Sequence, residues 1–388
     1  MRKAIFSIMS AVLMLLTACG QDTEQQKDTR SAQATVISEV HNDVTSVPEQ
    51  TIDISYNIQD IRNLQDFLLT RPTEDDLTGK PYDLDNDGVW SVFDLCLMKR
   101  AYLNEHQVIY SIDFDIERGT VMLNSGYEMP VLGIGTYRLS QSEAENSVYW
   151  ALADGYRLID TARIYGNEEG VGKGIQRAID DGICTRDEIF ITTKMWTSDY
   201  NDGENAIQAS LDRLGLDYID LMILHHSQPS NDITAYYAME QAVADGKLRS
   251  IGLSNYYEPE DFDRVVDQAI ITPALLQNET HPYHQSGEMK EHIAKYGTVL
   301  ESWYPLGGRG NTQRLFDDET ISAIASAHGK TSAQVILRWH LQAGQIAIPG
   351  SSNEAHIKEN CEIFDFSLSD EEMQKMAALE KSERFSTY

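Results

Sequence analysis

From residue 106 onward the chain repeats one unit, a short apolar run followed by a longer amphipathic stretch. No other feature narrows its fold so far. After a hairpin-like segment, "TVMLNSGYEMPVL" (120–132), strand-like runs fall at "LGIGT" (132–136), "RLID" (157–160), "IFITTK" (189–194) and "DLMILH" (220–225). Four more follow at "SIGLSN" (250–255), "LLQNE" (275–279), "VLESW" (299–303) and "IAIPG" (346–350). Helical patterns such as "QSEAENSVYWALADG" (141–155) and "NAIQASLDRLG" (205–215) stand between them. Strands alternating with helices predict a parallel sheet covered by helices. Eight such units in residues 106–388 predict a closed (β/α)8 TIM barrel.

Polar residues fall where such a barrel wants them. Asp160, Lys194, His225, Asn255, Gln277 and Trp303 each stand at the C-terminal end of a predicted strand. In a barrel those ends meet on one rim, where catalytic groups collect. Any one alone is explained as a cap or a satisfied polar group; six in one register are not explained by packing. Two phosphate-loop readings fail. "GIGTY" (133–137) lacks the third glycine and the helix of a dinucleotide-binding turn, and "GVGKG" (170–174) has Gly174 where a P-loop needs Ser or Thr. A glycoside hydrolase on the same barrel is disfavoured too, because no pair of rim carboxylates offers an acid and a nucleophile.

Three stretches resemble the signature segments of aldo-keto reductases: "GYRLIDTARIYGNEEGVG" (155–172), "RSIGLSN" (249–255) and "IPGSSNEAHIKEN" (348–360). The likeness runs through about residues 119–385. It implies a barrel that binds NADPH or NADH in extended form and reduces an aldehyde or ketone to an alcohol. Carried over residue by residue, the catalytic set is Asp160, Tyr165, Lys194 and His225. The residue types suit the chemistry. Tyr165 would give the proton, but a free tyrosine has a pKa of about 10. Lys194 beside it is expected to lower that value, with Asp160 holding the lysine and His225 orienting the carbonyl oxygen.

By the same resemblance Ser254, Asn255 and Gln277 hold the carboxamide, and Trp303 stacks on the nicotinamide. Leu306 and Gly308 lie along the pyrophosphate, and Glu359 and Asn360 reach the adenine. Thr136, Gly350, Ser351, Ser352, Asn353 and His356 complete the cofactor set, while Trp196 and His226 line the substrate mouth. The chain departs from the family in two places. His226 and Ser227 stand where Trp-Pro is usual. Gly350 and His356 replace the cation and the arginine that usually meet the NADP 2′-phosphate, so NADH is expected to be usable.

The front of the chain carries a different message. Arg2 and Lys3 precede the apolar run "AIFSIMSAVLMLL" (4–16), which is shorter than the roughly 20 residues that span a bilayer. The pattern reads as a signal peptide over 1–19. "LTAC" resembles a lipoprotein lipobox, with Cys19 as the lipid-modified residue; an ordinary cleaved signal is the alternative. Residues 20–49 are polar and without aromatics, a composition that cannot offset ordering entropy and so reads as a linker.

Residues 83–94, "DLDNDGVWSVFD", place Asp83, Asp85, Asp87, Ser91 and Asp94 at the ligand positions of a calcium loop, with Gly88 at its turn. This loop and its helix resemble the second half of a type I dockerin. The resemblance makes residues 50–105 a small all-α, EF-hand-like calcium module whose first loop is degraded. It implies a cohesin-bearing scaffold as partner, and the anchor implies an exported protein held at the cell membrane.

Lys plus Arg number 31 against 61 Asp plus Glu, a formal net charge of −30. That surface repels nucleic-acid phosphates and excludes nucleic acid as a partner. The four cysteines, Cys19, Cys96, Cys184 and Cys361, are too dispersed to make a disulfide framework. The rival to an enzyme is a scaffold-associated protein whose barrel no longer turns over. It is weakened by the full catalytic set, since a barrel released from catalysis has no folding reason to keep a lysine beside a tyrosine.

Overall fold

A computed structural model describes residues 114–387, with Leu64, Tyr82, Met98 and Ile112 ahead of them. Cys19 and the calcium-loop residues Asp83, Asp85, Asp87, Ser91 and Asp94 lie outside the described residues. So do nearly all of the signal segment, linker and dockerin-like module. No helix among the described residues is long and apolar enough to cross a membrane.

The described stretch from residue 114 opens with a three-stranded antiparallel sheet of β1 (Phe114–Asp115), β2 (Thr120–Met122) and β3 (Glu128–Pro130). Eight parallel strands follow: β4 (Gly133–Gly135), β5 (Leu158–Asp160), β6 (Phe190–Met195), β7 (Ile219–Leu224), β8 (Leu248–Ser254), β9 (Leu275–Glu279), β10 (Val299–Trp303) and β11 (Ile346–Ala347). They pair strictly in chain order. The ring closes where Leu132 bridges Ala347, with the Ala347 amide donating to Val131 O at 3.0 Å and the Gly135 amide to Pro349 O at 3.1 Å. The expected barrel is therefore present. Its strands are buried along their length, as β6, β7 and β9 show at every residue. That is why they read as continuous apolar runs and not as alternating ones.

The loop between β2 and β3 lies across the N-terminal mouth of the barrel. Asn124 Nδ2 donates to the carbonyls of Pro273 (3.0 Å) and Tyr296 (3.2 Å), just ahead of β9 and β10, and Ser125 Oγ meets Ser250 Oγ of β8 at 2.7 Å. The opposite mouth is left to the strand C-termini. The last strand is shorter than the sequence suggests, ending at Ala347 and not at Gly350. Pro349 has no N–H to extend the ladder, although its carbonyl still serves Gly135.

"GVGKG", rejected as a P-loop, forms part of the helix Glu168–Asp180. Its glycines are packing contacts. A Cβ on Gly170 would overlap the Gln141 carbonyl, and one on Gly172 the Leu214 carbonyl, so neighbouring helices approach backbone to backbone.

Candidate active site

Several strand ends deliver polar side chains to the open rim. β5 ends on Asp160 and β6 carries Lys194, both buried. Lys194 Nζ donates to Asp160 Oδ1 at 2.6 Å, to Oδ2 at 2.7 Å and to the Thr161 carbonyl at 2.9 Å, which uses all three ammonium hydrogens. A lysine with no exposure persists because its charge is met at this range.

The 3-10 turn Arg163–Tyr165 follows β5 and sets Tyr165 over the pair, with Lys194 Nζ 5.0 Å from the ring centroid. The ring also meets Tyr137 at 4.9 Å and the edge of His225 at 5.8 Å. Burial, and after it the Asp160 charge, push the Tyr165 phenol well above its ordinary value. The expectation that Lys194 lowers the tyrosine pKa is therefore not met. The ammonium is already neutralised by Asp160, and the phenolate would lose more to burial than it gains from a compensated cation. Tyr165 is protonated at neutral pH, the state in which a phenol gives a proton.

His225 follows β7. It stacks on His226 at 4.9 Å with the rings 4° apart, and Trp196 meets it edge-on at 5.1 Å. Burial, Lys194 and His226 push its pKa down to about 2, so the ring is neutral. Its Nδ1 is buried without a hydrogen-bond partner. One nitrogen of such an imidazole donates and the other accepts.

Behind these groups lies an amide layer. Asn255 adopts φ 61 at the end of β8; its Nδ2 donates to His225 O at 2.8 Å, and its Oδ1 accepts from Tyr257 OH and Trp303 Nε1, each at 3.1 Å. Asn255 thus ties the backbone of His225 to the indole of Trp303. Gln277 Nε2 donates to Asp160 Oδ2 at 2.8 Å and to Glu301 Oε2 at 2.6 Å.

A cleft of about 850 Å³ opens over the rim, a size suited to a cofactor. Its wall contains Asp160, Tyr165, Trp196, His225, His226, Ser254, Asn255, Gln277 and Trp303. From the segments after β10 and β11 come Leu306, Gly308, Gly350, Ser351, Ser352, Asn353, His356, Glu359 and Asn360. Two residues expected at the site are not on the wall. Lys194 lies wholly beneath it, in contact with Asp160. Thr136 is fully buried and its hydroxyl donates to the Asp160 carbonyl at 3.0 Å, so it supports the β5 end and does not face a cofactor.

The wall also carries residues that sequence reading passed over, among them Tyr137, Ile164, Tyr304, Arg138 and Arg309. The two arginines were legible only as isolated cations in loops, and Glu301 as an acid inside an apolar strand. The donor set fits a dinucleotide. Guanidinium groups and serine hydroxyls suit phosphates. At Gly308 (φ 66) a Cβ would sit 2.5 Å from the Tyr304 ring, so a side chain there would crowd this wall. Asn353 Oδ1 accepts from the Ala355 amide at 2.9 Å, capping the helix Glu354–Cys361 that carries His356, Glu359 and Asn360.

The model of the aldo/keto reductase family matches residues 119–381. An aldo-keto reductase of Mycobacterium sp. (strain MCS) is 43% identical over 272 residues, covering 69% of this chain and 92% of that protein. The glyoxal reductase of Bacillus subtilis (strain 168) is 42% identical over 270 residues, 69% of this chain and 95% of that protein. The methylglyoxal reductase DkgA of Yersinia pestis is 41% identical over 268 residues, 68% of this chain and 94% of that protein. Among solved structures, a Bombyx mori aldo-keto reductase in complex with NADP superposes with a TM-score of 0.65 at 34% identity, covering 69% of this chain and 94% of that one. Family model, relatives and superposition agree with the rim geometry: the chain belongs to the aldo/keto reductase family and is an NAD(P)H-dependent oxidoreductase.

Proposed function

We propose that this chain reduces small aldehydes, 2-oxoaldehydes among them, to alcohols with NADPH or NADH, using Tyr165 as the proton donor. The observation that carries this reading is the buried Asp160–Lys194 pair beneath a protonated Tyr165 and a neutral His225 on one cleft wall. Bound nicotinamide supplies the hydride. His225 directs the carbonyl oxygen toward the Tyr165 hydroxyl, which delivers its proton as negative charge grows on that oxygen. Ser254, Asn255 and Gln277 would hold the carboxamide, and Trp303 would support the nicotinamide ring. Trp196, His226, Tyr137 and Ile164 share the cleft wall with Tyr165 and His225 and would meet the substrate. The names of the relatives, glyoxal reductase and methylglyoxal reductase, agree with small aldehydes. The test is consumption of NADPH and NADH by the purified chain across a panel of small aldehydes and ketones. No turnover with any of them would refute the reading.

The front of the chain supports a second, separate proposal about place. The signal pattern and Cys19 support export and a lipid anchor. The loop 83–94 supports one calcium ion and a cohesin-type partner in an extracellular scaffold. A purely scaffolding role for the barrel is disfavoured by Lys194 itself. A buried lysine with one carboxylate partner contributes little net stability that an apolar residue would not match, so folding alone gives no reason for it.

A further inference from the structure

Glu301 lies in the middle of β10 and has no part in the reading above. It is fully buried and pairs in register with Gln277 of β9 and Ile346 of β11. Its Oε2 accepts from Gln277 Nε2 at 2.6 Å, and its Oε1 has no partner. The same Gln277 nitrogen donates to Asp160 Oδ2 at 2.8 Å. One amide nitrogen thus bridges two carboxyl groups and spends both its hydrogens on them. The amide cannot be reversed, since its oxygen would then face the ionised Asp160.

Two carboxyls joined this closely do not ionise together without a large cost. Asp160 has Lys194 at 2.6 Å, whereas Glu301 contacts no cation, so the charge rests on Asp160 and the proton on Glu301. Burial and the Asp160 charge raise the Glu301 pKa to about 8. The groups that face it are Asp160 from β5, Lys194 from β6, Gln277 from β9 and Tyr165 from the turn after β5; β11 opposes it with apolar Ile346.

We propose that Glu301 is a positioning residue for hydride transfer: as a neutral acid it anchors Gln277 across the barrel and keeps a second negative charge away from the Asp160–Lys194 pair. The proposal rests on the reductase reading above. When Glu301 loses its proton, a negative charge appears behind Asp160. Carbonyl reduction builds negative charge on the substrate oxygen, and the added charge also makes Tyr165 a weaker acid. Reduction therefore slows as Glu301 ionises.

The experiment is the pH profile of kcat for the full chain with saturating NADPH and one good aldehyde, comparing wild type, Glu301→Gln and Glu301→Leu, with NADPH Kd measured by fluorescence for each. Wild type is expected to lose about tenfold in kcat between roughly pH 7 and 9, the scale of one added buried charge at this range. Glu301→Gln still accepts from Gln277 but cannot ionise, so the fall between roughly pH 7 and 9 should be absent from its profile. Glu301→Leu removes one of the two carboxyl anchors of Gln277 and leaves an amide hydrogen buried without an acceptor, which should raise the NADPH Kd about tenfold. Superimposable wild-type and Glu301→Gln profiles would overturn the proposal, as would wild-type cofactor affinity in Glu301→Leu. A wild type that reduces no carbonyl would instead overturn the reductase reading, while the Kd comparison would still test the Gln277 anchor.

Discussion

At the scale of single residues, the state of a group is set by burial as much as by its neighbours. Lys194 lies under Tyr165, yet its charge is spent on Asp160, and the phenol stays protonated. The same logic governs the cofactor's outer phosphate. Gly350 and His356 stand on the cleft wall in place of the usual cations, and neutral contacts from Ser351, Ser352 and Asn353 are weaker than charge-assisted ones. The kcat/KM values for NADPH and NADH with one good aldehyde are therefore expected to agree within about a hundredfold. A preference for NADPH of about a thousandfold or more would show that other cations, Arg309 or Arg138, meet the 2′-phosphate. Most of the rim was legible because each residue is a polar side chain ending an apolar run. Thr136 was not, because its position at the end of "LGIGT" does not reveal that its hydroxyl turns back to the Asp160 carbonyl. Glu301 stood in plain view in "VLESW", but its meaning depends on pairing with Gln277 across two strands, which no local pattern carries.

Among the elements, the strands were the most legible and their limits the least. "LLQNE" and "VLESW" match β9 and β10 residue for residue, since apolar runs bounded by polar ends leave little choice. The final strand was overextended because a proline ends the ladder donors without ending the extended chain. The helix Glu168–Asp180 shows what glycine contributes here. In an isolated helix Gly172→Ala would gain about 1 kcal/mol from propensity. In this barrel the new methyl would overlap the Leu214 carbonyl, a backbone group that cannot swing aside. Overpacking of that kind costs about 1–3 kcal/mol or more, so the clash wins. Gly172→Ala is expected to lower the thermal midpoint of unfolding by several degrees in a calorimetric scan. An unchanged or raised midpoint would mean that the two helices separate without cost.

For the whole molecule, the barrel carries the reductase chemistry, and the front end carries the sequence patterns from which a location is proposed. The family match begins at residue 119, and the residues before it supply the anchor, linker and calcium-loop patterns. The calcium site is proposed from local spacing alone, from aspartates at alternate positions around Gly88. One strong calcium site is expected in residues 50–105, because the first loop has Ile54 where glycine belongs. Asp83→Ala combined with Asp87→Ala should abolish that site in titration calorimetry of the full chain and leave carbonyl reduction unchanged. Two comparable sites in wild type would contradict the degraded first loop. The most direct test of the reductase reading is the comparison of wild type with Tyr165→Phe in methylglyoxal reduction, alongside NADPH binding followed by fluorescence. The expected result is a loss of at least about a hundredfold in kcat, the scale of one general acid, with the cofactor Kd nearly unchanged. A Tyr165→Phe variant that keeps most of its turnover would contradict the assignment of Tyr165 as proton donor.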